Sequence, residues 1–235
     1  MEDINHWQIK YEPCYYSDRL LGKLSELNST KFNQVDITLV QKAIYYARKY
    51  HGDQKRQSGE PYYSHPLEVA YMLAEYTAQY NKRYFETDLL ITAILHDTIE
   101  DTELSAKMIS DIFGDVVASQ VVDLTRKMPE RKITSAEMIN ILYQEKKDKV
   151  LLVKLFDRIH NIQTVNAKSP EKAKRILEET LRHFFSLAIY FDKLGHGLCG
   201  LDYYIHSLCY QTIFPGVELS IEKNLVPDLY SLPTR

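Results

Sequence analysis

The sequence predicts an all-α protein organised around one helical domain. Apolar residues recur at three- and four-residue steps along most of the chain, and capping residues stand in front of these runs. No stretch alternates apolar and polar residues for long enough to argue a sheet. With 235 residues, 45% of them hydrophobic and 26% charged, the chain can bury roughly 70–75% of its unfolded surface. It needs no disulfide or metal staple to fold.

Residues 1–35 read as an extension in which Arg19 to Leu27 forms a helix and the rest is extended. The helical domain spans 36–213. Asp36 caps a helix with Ile37, Val40, Ile44 and Ala47 on one face. His65-Pro66 starts the next, with proline in the first turn, where its missing N–H does no harm. Leu67, Ala70, Tyr71 and Ala74 continue its apolar side. Thr87-Asp88 opens a third helix whose run Leu89, Leu90, Ala93, Ile94 and Leu95 predicts deep burial. Ser105 caps Ala106 to Phe113, and Gly114 stops it. A helix follows from Asp115 to Thr125, and Thr134-Ser135-Ala136-Glu137 is a capping box. Leu151, Leu152, Leu155 and Ile159 carry the helical period towards Asn161. Ser169-Pro170 begins a long helix ending near Gly195, and Leu201 to Thr212 is the last. Residues 214–235, with Pro215, Pro227 and Pro233, form an irregular tail. No repeat, low-complexity segment or linker divides the chain.

Twenty-nine Lys and Arg against 32 Asp and Glu give a net charge of -3, too little positive field for coating a nucleic acid. A small anionic substrate needs only a few cations in one cleft. Cys14, Cys199 and Cys209 are odd in number and widely spaced, as free thiols in a reducing compartment are. No basic-then-apolar leader opens the sequence and no stretch approaches ~18 uncharged apolar residues. The expectation is a soluble cytoplasmic protein without a nucleic-acid or membrane partner.

Four segments concentrate chemistry: His51-Gly-Asp-Gln-Lys-Arg-Gln-Ser-Gly-Glu-Pro-Tyr62 with His65-Pro66 behind it, His96-Asp97-Thr-Ile-Glu100-Asp101, Lys154-Leu-Phe-Asp157-Arg-Ile-His-Asn161, and the basic Arg126-Lys127 and Arg131-Lys132. His96 and Asp97 end the most apolar helix, where an ionisable pair is costly unless partnered or bound to a metal. If that helix runs one turn further, Glu100 and Asp101 lie on the same side; if it has ended, all four groups are solvated. Asp157 sits in another apolar helix with Asn161 at i+4, and Lys154 or Arg158 is its ordinary salt-bridge partner. Taken together, His65, His96, Asp97 and Asp157 suit Mn²⁺, Fe²⁺ or Zn²⁺, with positions open for water and substrate oxygens. Glu100 and Asp101 would then orient or deprotonate the attacking water. Tyr62 reads either as a substrate contact or as a turn residue after Pro61.

This ordered set of motifs resembles the HD superfamily of metal-dependent phosphohydrolases. Within it, residues 36–195 resemble the hydrolase domain of the RelA/SpoT alarmone enzymes, in their stand-alone small form. The resemblance implies an HD-type helical bundle and a Mn²⁺-dependent 3′-pyrophosphohydrolase that converts ppGpp or pppGpp to GDP or GTP and pyrophosphate. It implies His65, His96, Asp97 and Asp157 as metal ligands and Glu100 and Asp101 as the catalytic carboxylates. Arg56 would stack on guanine, with Lys55, Gln57, Ser58, Asn161, Thr164 and Lys127 as further substrate contacts. His51 matches no ligand position and reads as structural, as does His160.

Gln57 stands where the family usually has Lys, Gln163 where it has Arg, and Phe156 where it has Ala. Ser186 and Lys193 stand where Pro and Arg are common. Two competing readings are an HD phosphohydrolase of another nucleotide, such as an adenine alarmone or the 2′-phosphate of NADPH, and a non-catalytic nucleotide-binding module.

Overall fold

A computed structural model describes residues 6–30, 33–126, 132–194 and 200–214. Helices dominate among the described residues, and Lys55 and Pro61 form an isolated β-bridge. By packing density the chain forms two units, Met1–Val153 and Lys154–Arg235.

In the first unit, α1 (Trp7–Lys10) and α2 (Tyr15–Thr30) precede α3 (Ile37–His51). The segment expected to be helical only from Arg19 to Leu27 is therefore helical over a longer span. Its reason is tertiary: α2 buries Leu20 and Leu24, packs on α3 and α4 (Ser64–Tyr80), and pairs Arg19 with Glu68 and Lys23 with Glu75. Asp36 caps α3, its carboxylate accepting the Leu39 N–H at 3.0 Å. Its own N–H donates to Thr87 Oγ1, 2.8 Å away, which ties the start of α3 to that of α5 (Thr87–Leu95).

Helix α4 is buried from Ser64 to Ala78, and α5 from Leu89 to Leu95. Such all-round burial matches a helix apolar on every face. α5 packs on α3, α4 and α8 and so lies at the centre of the unit. After it come a single turn, α6 (Thr98–Asp101), then α7 (Ala106–Phe113) and α8 (Asp115–Leu124). Ser105 caps α7 at the Met108 N–H. Gly114 ends it at φ 92°, a conformation that side-chain-bearing residues rarely adopt. In α9 (Ser135–Gln144) the capping box forms in both directions, Thr134 accepting from Glu137 N–H and Glu137 from Thr134 N–H.

Helix α10 spans Asp148–Gln163. All its residues from Val150 to His160 are buried. The second unit continues with α11 (Pro170–Glu179), a π-turn over Thr180–Phe184, α12 (Phe185–Leu194) and α13 (Leu201–Ile213). Ser169 caps α11 with Pro170 at its first position, as expected. The long helix expected from Ser169 to Gly195 is thus divided by the wider π-turn. The Asp192 carboxylate caps α13 by accepting from the Leu201 and Asp202 N–H groups, both at 3.0 Å. No helix among the described residues is long and apolar enough to cross a membrane. The expected tail beyond Phe214 lies outside the described residues.

Candidate metal and catalytic site

In the first unit the start of α4 and the end of α5 bring two imidazoles together. His65 and His96 are each 3% exposed, with ring centroids 5.2 Å apart. His96 Nδ1 lies 2.7 Å from the Ala93 carbonyl oxygen. A carbonyl only accepts, so Nδ1 carries the proton and Nε2 keeps a lone pair. That nitrogen is 3.2 Å from Asp97 Oδ1, and His65 Nε2 is 3.8 Å from Asp97 Oδ2. An imidazole nitrogen this close to a carboxylate oxygen is satisfied by a proton on the ring or by a cation held between the two. This donor set fits a divalent cation of the borderline-to-hard class.

Helix α5 does not continue through these residues. It stops at Leu95, and His96-Asp97 form a turn before α6. The Thr98 hydroxyl donates to the Leu95 carbonyl at 2.7 Å, satisfying the broken end. Asp97 and Asp101 are still one turn apart, since Asp101 N–H donates to the Asp97 carbonyl at 3.0 Å. Neither sequence alternative holds whole: the helix ends, yet His96 is buried and Asp97 half-buried.

Asp101 is exposed, but its carboxylate has a fixed neighbour. Tyr62 donates its hydroxyl to Asp101 Oδ2 at 2.8 Å and lies 3.2 Å from Asp97 Oδ2. Burial, with the two carboxylates beside it, pushes the Tyr62 phenol well above its usual range, so it stays protonated. The Tyr62 ring stacks on His51, centroids 4.7 Å apart. His51 is buried and keeps Nδ1 3.0 Å from Gln54 Oε1; burial holds its pKa below the ordinary histidine value. It takes the structural role expected of it.

Glu100 turns the other way. It pairs with Lys132, accepts the Arg126 N–H at 3.2 Å, and has Arg126 Nε 4.0 Å away. Burial alone would raise its pKa; the Lys132 and Arg126 hydrogen bonds and charges outweigh that and hold it below the ordinary glutamate value. Two residues of the basic segment, Arg126 and Lys132, therefore meet Glu100. Lys127 and Arg131 lie outside the described residues.

The motif loop 54–61 is closed by the Arg56 N–H donating to the Glu60 carbonyl and the Gly59 N–H to the Arg56 carbonyl, both at 2.9 Å. Gly59 has φ 90°, as the tight turn requires. Arg56 is half-buried, while Lys55, Gln57 and Ser58 are exposed on the loop.

In the second unit Asp157 is buried at 7% exposure. Lys154, not Arg158, is its partner, with Nζ 2.7 Å from Oδ2. Asn161 donates to Asp157 Oδ1 at 2.6 Å. Arg158 pairs with Glu179 at 2.8 Å and covers the Phe184 ring. Gln163 donates to the Tyr204 hydroxyl at 2.8 Å, which gives this departure from the family pattern a packing role. Thr164 donates to the His160 carbonyl at 3.0 Å.

Residues 43–190 match the HD domain family. The chain belongs to that family. Three curated relatives bear the resemblance out for the HD domain. The GTP pyrophosphokinase rsh of Brucella ovis is 38% identical over 160 residues, covering 66% of this chain and 20% of that protein. The guanosine-3′,5′-bis(diphosphate) 3′-pyrophosphohydrolase of Aquifex aeolicus is 38% identical over 153 residues, 63% of this chain and 21% of its own. The bifunctional (p)ppGpp synthase/hydrolase SpoT of Escherichia coli is 36% identical over 177 residues, 72% and 24%. The chain thus spans between a fifth and a quarter of the length of these relatives. A solved structure, described as a metazoan ortholog of SpoT that hydrolyzes ppGpp, shares the fold with TM-score 0.52 at 19% identity, over 74% of this chain and 95% of that one.

Of the site residues expected from the sequence, the structure brings His65, His96, Asp97 and Asp101 close together. Sequence reasoning missed Tyr62 as the link between Asp97 and Asp101, because a tyrosine after proline is already explained by the turn. It named Lys154 only as one of two partners, since helical spacing admits Arg158 equally.

Proposed function

We propose that this HD domain is a divalent-metal-dependent 3′-pyrophosphohydrolase of ppGpp and pppGpp, with Mn²⁺ as its ion. The observation that carries the reading is the convergence of His65, His96 and Asp97 beside Asp101. The likeness to relatives named as 3′-pyrophosphohydrolases supports the substrate class. His65, His96 and Asp97 would hold the ion, with Asp157 as the fourth proposed ligand. When bound, the ion supplies positive charge for the diphosphate and lowers the pKa of water. Asp101 orients the attacking water and takes its proton. The water oxygen bonds to the phosphorus next to the ribose, the bond from that phosphorus to the 3′ oxygen breaks, and the 3′ oxygen leaves with the proton that Asp101 took from the water. Arg56 offers its guanidinium plane to the base. Lys55, Gln57, Ser58, Asn161, Thr164 and Lys127 are the other proposed contacts, and residues 36–213 the catalytic domain.

Incubation with ppGpp and Mn²⁺ should release GDP and pyrophosphate. Asp97→Ala should lose more than the ~10–100-fold typical of disturbing a ligand's supporting contacts. Turnover unchanged in Asp97→Ala overturns the reading. Preference for NADPH or an adenine alarmone in a substrate panel overturns the guanine assignment.

A further inference from the structure

We infer that Tyr62 is a positioning residue of the hydrolytic site, its hydroxyl fixing the Asp101 carboxylate next to Asp97. The inference rests on the proposed roles of Asp97 and Asp101. A phenol has one proton to donate, and the shorter contact, 2.8 Å, goes to Asp101 Oδ2. With Asp97 Oδ2 at 3.2 Å, the same hydroxyl sets the spacing between the two carboxylates.

Asp101 needs such a constraint. It ends a helix of four residues, too short to hold itself, and its side chain is exposed. A proton acceptor that wanders by an ångström loses much of its benefit, roughly 10²-fold in rate. Tyr62 is itself held at several points. Its N–H donates to the Gln54 carbonyl at 2.8 Å, and its ring lies on His51. Gln54 connects His51 Nδ1 to Asp101, because its Nε2 donates to the Asp101 carbonyl at 3.1 Å. His51, Gln54 and Tyr62 therefore grip Asp101 by both backbone and side chain. A turn after Pro61 requires none of this. Phenylalanine would fill the turn and stack on His51 equally well, and only the hydroxyl reaches the carboxylates.

The test uses Tyr62→Phe, which keeps the ring. Turnover of ppGpp and of the chromogenic diester bis(p-nitrophenyl) phosphate is measured with Mn²⁺ in wild type, Tyr62→Phe, Asp101→Asn and the double variant. Mn²⁺ affinity is read by calorimetric titration. Tyr62→Phe should lower kcat about 10- to 100-fold, leave KM for ppGpp within about twofold, and leave Mn²⁺ affinity within about threefold. On top of Asp101→Asn it should cost less than about twofold, since the two groups act as a unit. Unchanged kcat, an equal loss in both backgrounds, or a fall in Mn²⁺ affinity that accounts for the loss would overturn the inference. If wild type cleaves the diester but not ppGpp, the substrate reading fails and Tyr62 is judged on the diester. If it cleaves neither, both proposals fail.

Discussion

Replacing Lys154 by methionine tests whether Asp157 holds a cation. The Lys154 ammonium and Asp157 carboxylate lie 2.7 Å apart, with side chains only 11% and 10% exposed. Methionine keeps most of the aliphatic stem and removes the charge. The carboxylate then loses its cationic neighbour on α10, while Asn161 still donates to Oδ1. Breaking a buried pair costs about 3–5 kcal/mol. The remaining Asn161 contact argues for the lower end, about 3 kcal/mol, or about 6–12 °C in Tm for a chain of this size. A divalent ion at Asp157 restores the missing charge and no longer competes with an ammonium. Mn²⁺ should therefore raise the Tm of the variant more than that of wild type, and bind the variant about tenfold more tightly. The upper limit is about 10²-fold, the whole 3 kcal/mol. Scanning calorimetry with and without Mn²⁺, together with titration calorimetry, reads both numbers. Equal Mn²⁺ shifts in the two proteins would refute the placement of Asp157 among the ligands.

Lys132→Met should destabilise the protein at pH 7 by less than about 1 kcal/mol, because Lys132 is half-exposed. Glu100 has its folded pKa depressed, so its pair stabilises fully above the unfolded value and is lost as pH falls through the folded one. The gap between wild type and variant should close below about pH 4; melts showing a gap that is constant or widens in acid contradict this. Cys209 is buried, and burial pushes its thiol up to about 11, leaving about 0.1% thiolate at pH 8. Iodoacetamide at pH 8 should label half-buried Cys14 and spare Cys209 until the protein is denatured. Equal labelling of the two in peptide maps would count against that packing.

The helical class and most helix ends were legible because caps are local. Asp36, Ser105, Thr134 and Ser169 all cap where expected, each through a hydroxyl or carboxylate three residues from its N–H. The extent of α2 was not legible. Its supports, Glu68 and Glu75, lie about fifty residues away, beyond any local pattern. Within the site, residue types predicted the imidazoles and carboxylates, because few environments tolerate His-Asp after seven buried residues. What each carboxylate touches was not predictable. Glu100 and Asp101 are neighbours in sequence, yet one faces Lys132 and the other Tyr62. Which way a side chain leaves a single helical turn depends on elements that arrive later in the chain.

That divergence bears on how two adjacent acids divide the work. Glu100 holds a cation, a backbone N–H and a nearby guanidinium, and its proton affinity is depressed. To take a proton from water it would have to release Lys132. Its environment suits it to anchoring the segment around Arg126 and to keeping a permanent negative charge. Asp101 accepts instead from a neutral phenol, and no ion pair to it is seen among the described residues. The carboxylate doublet that looks symmetric in sequence is thus electrostatically split. A Glu100→Gln variant should accordingly lose less activity than Asp101→Asn. The same logic explains why a net charge of -3 does not argue against a polyphosphate. Basic side chains near the site neutralise Glu100, while in the proposed function Asp97 and the imidazoles would recruit the positive charge that the substrate needs.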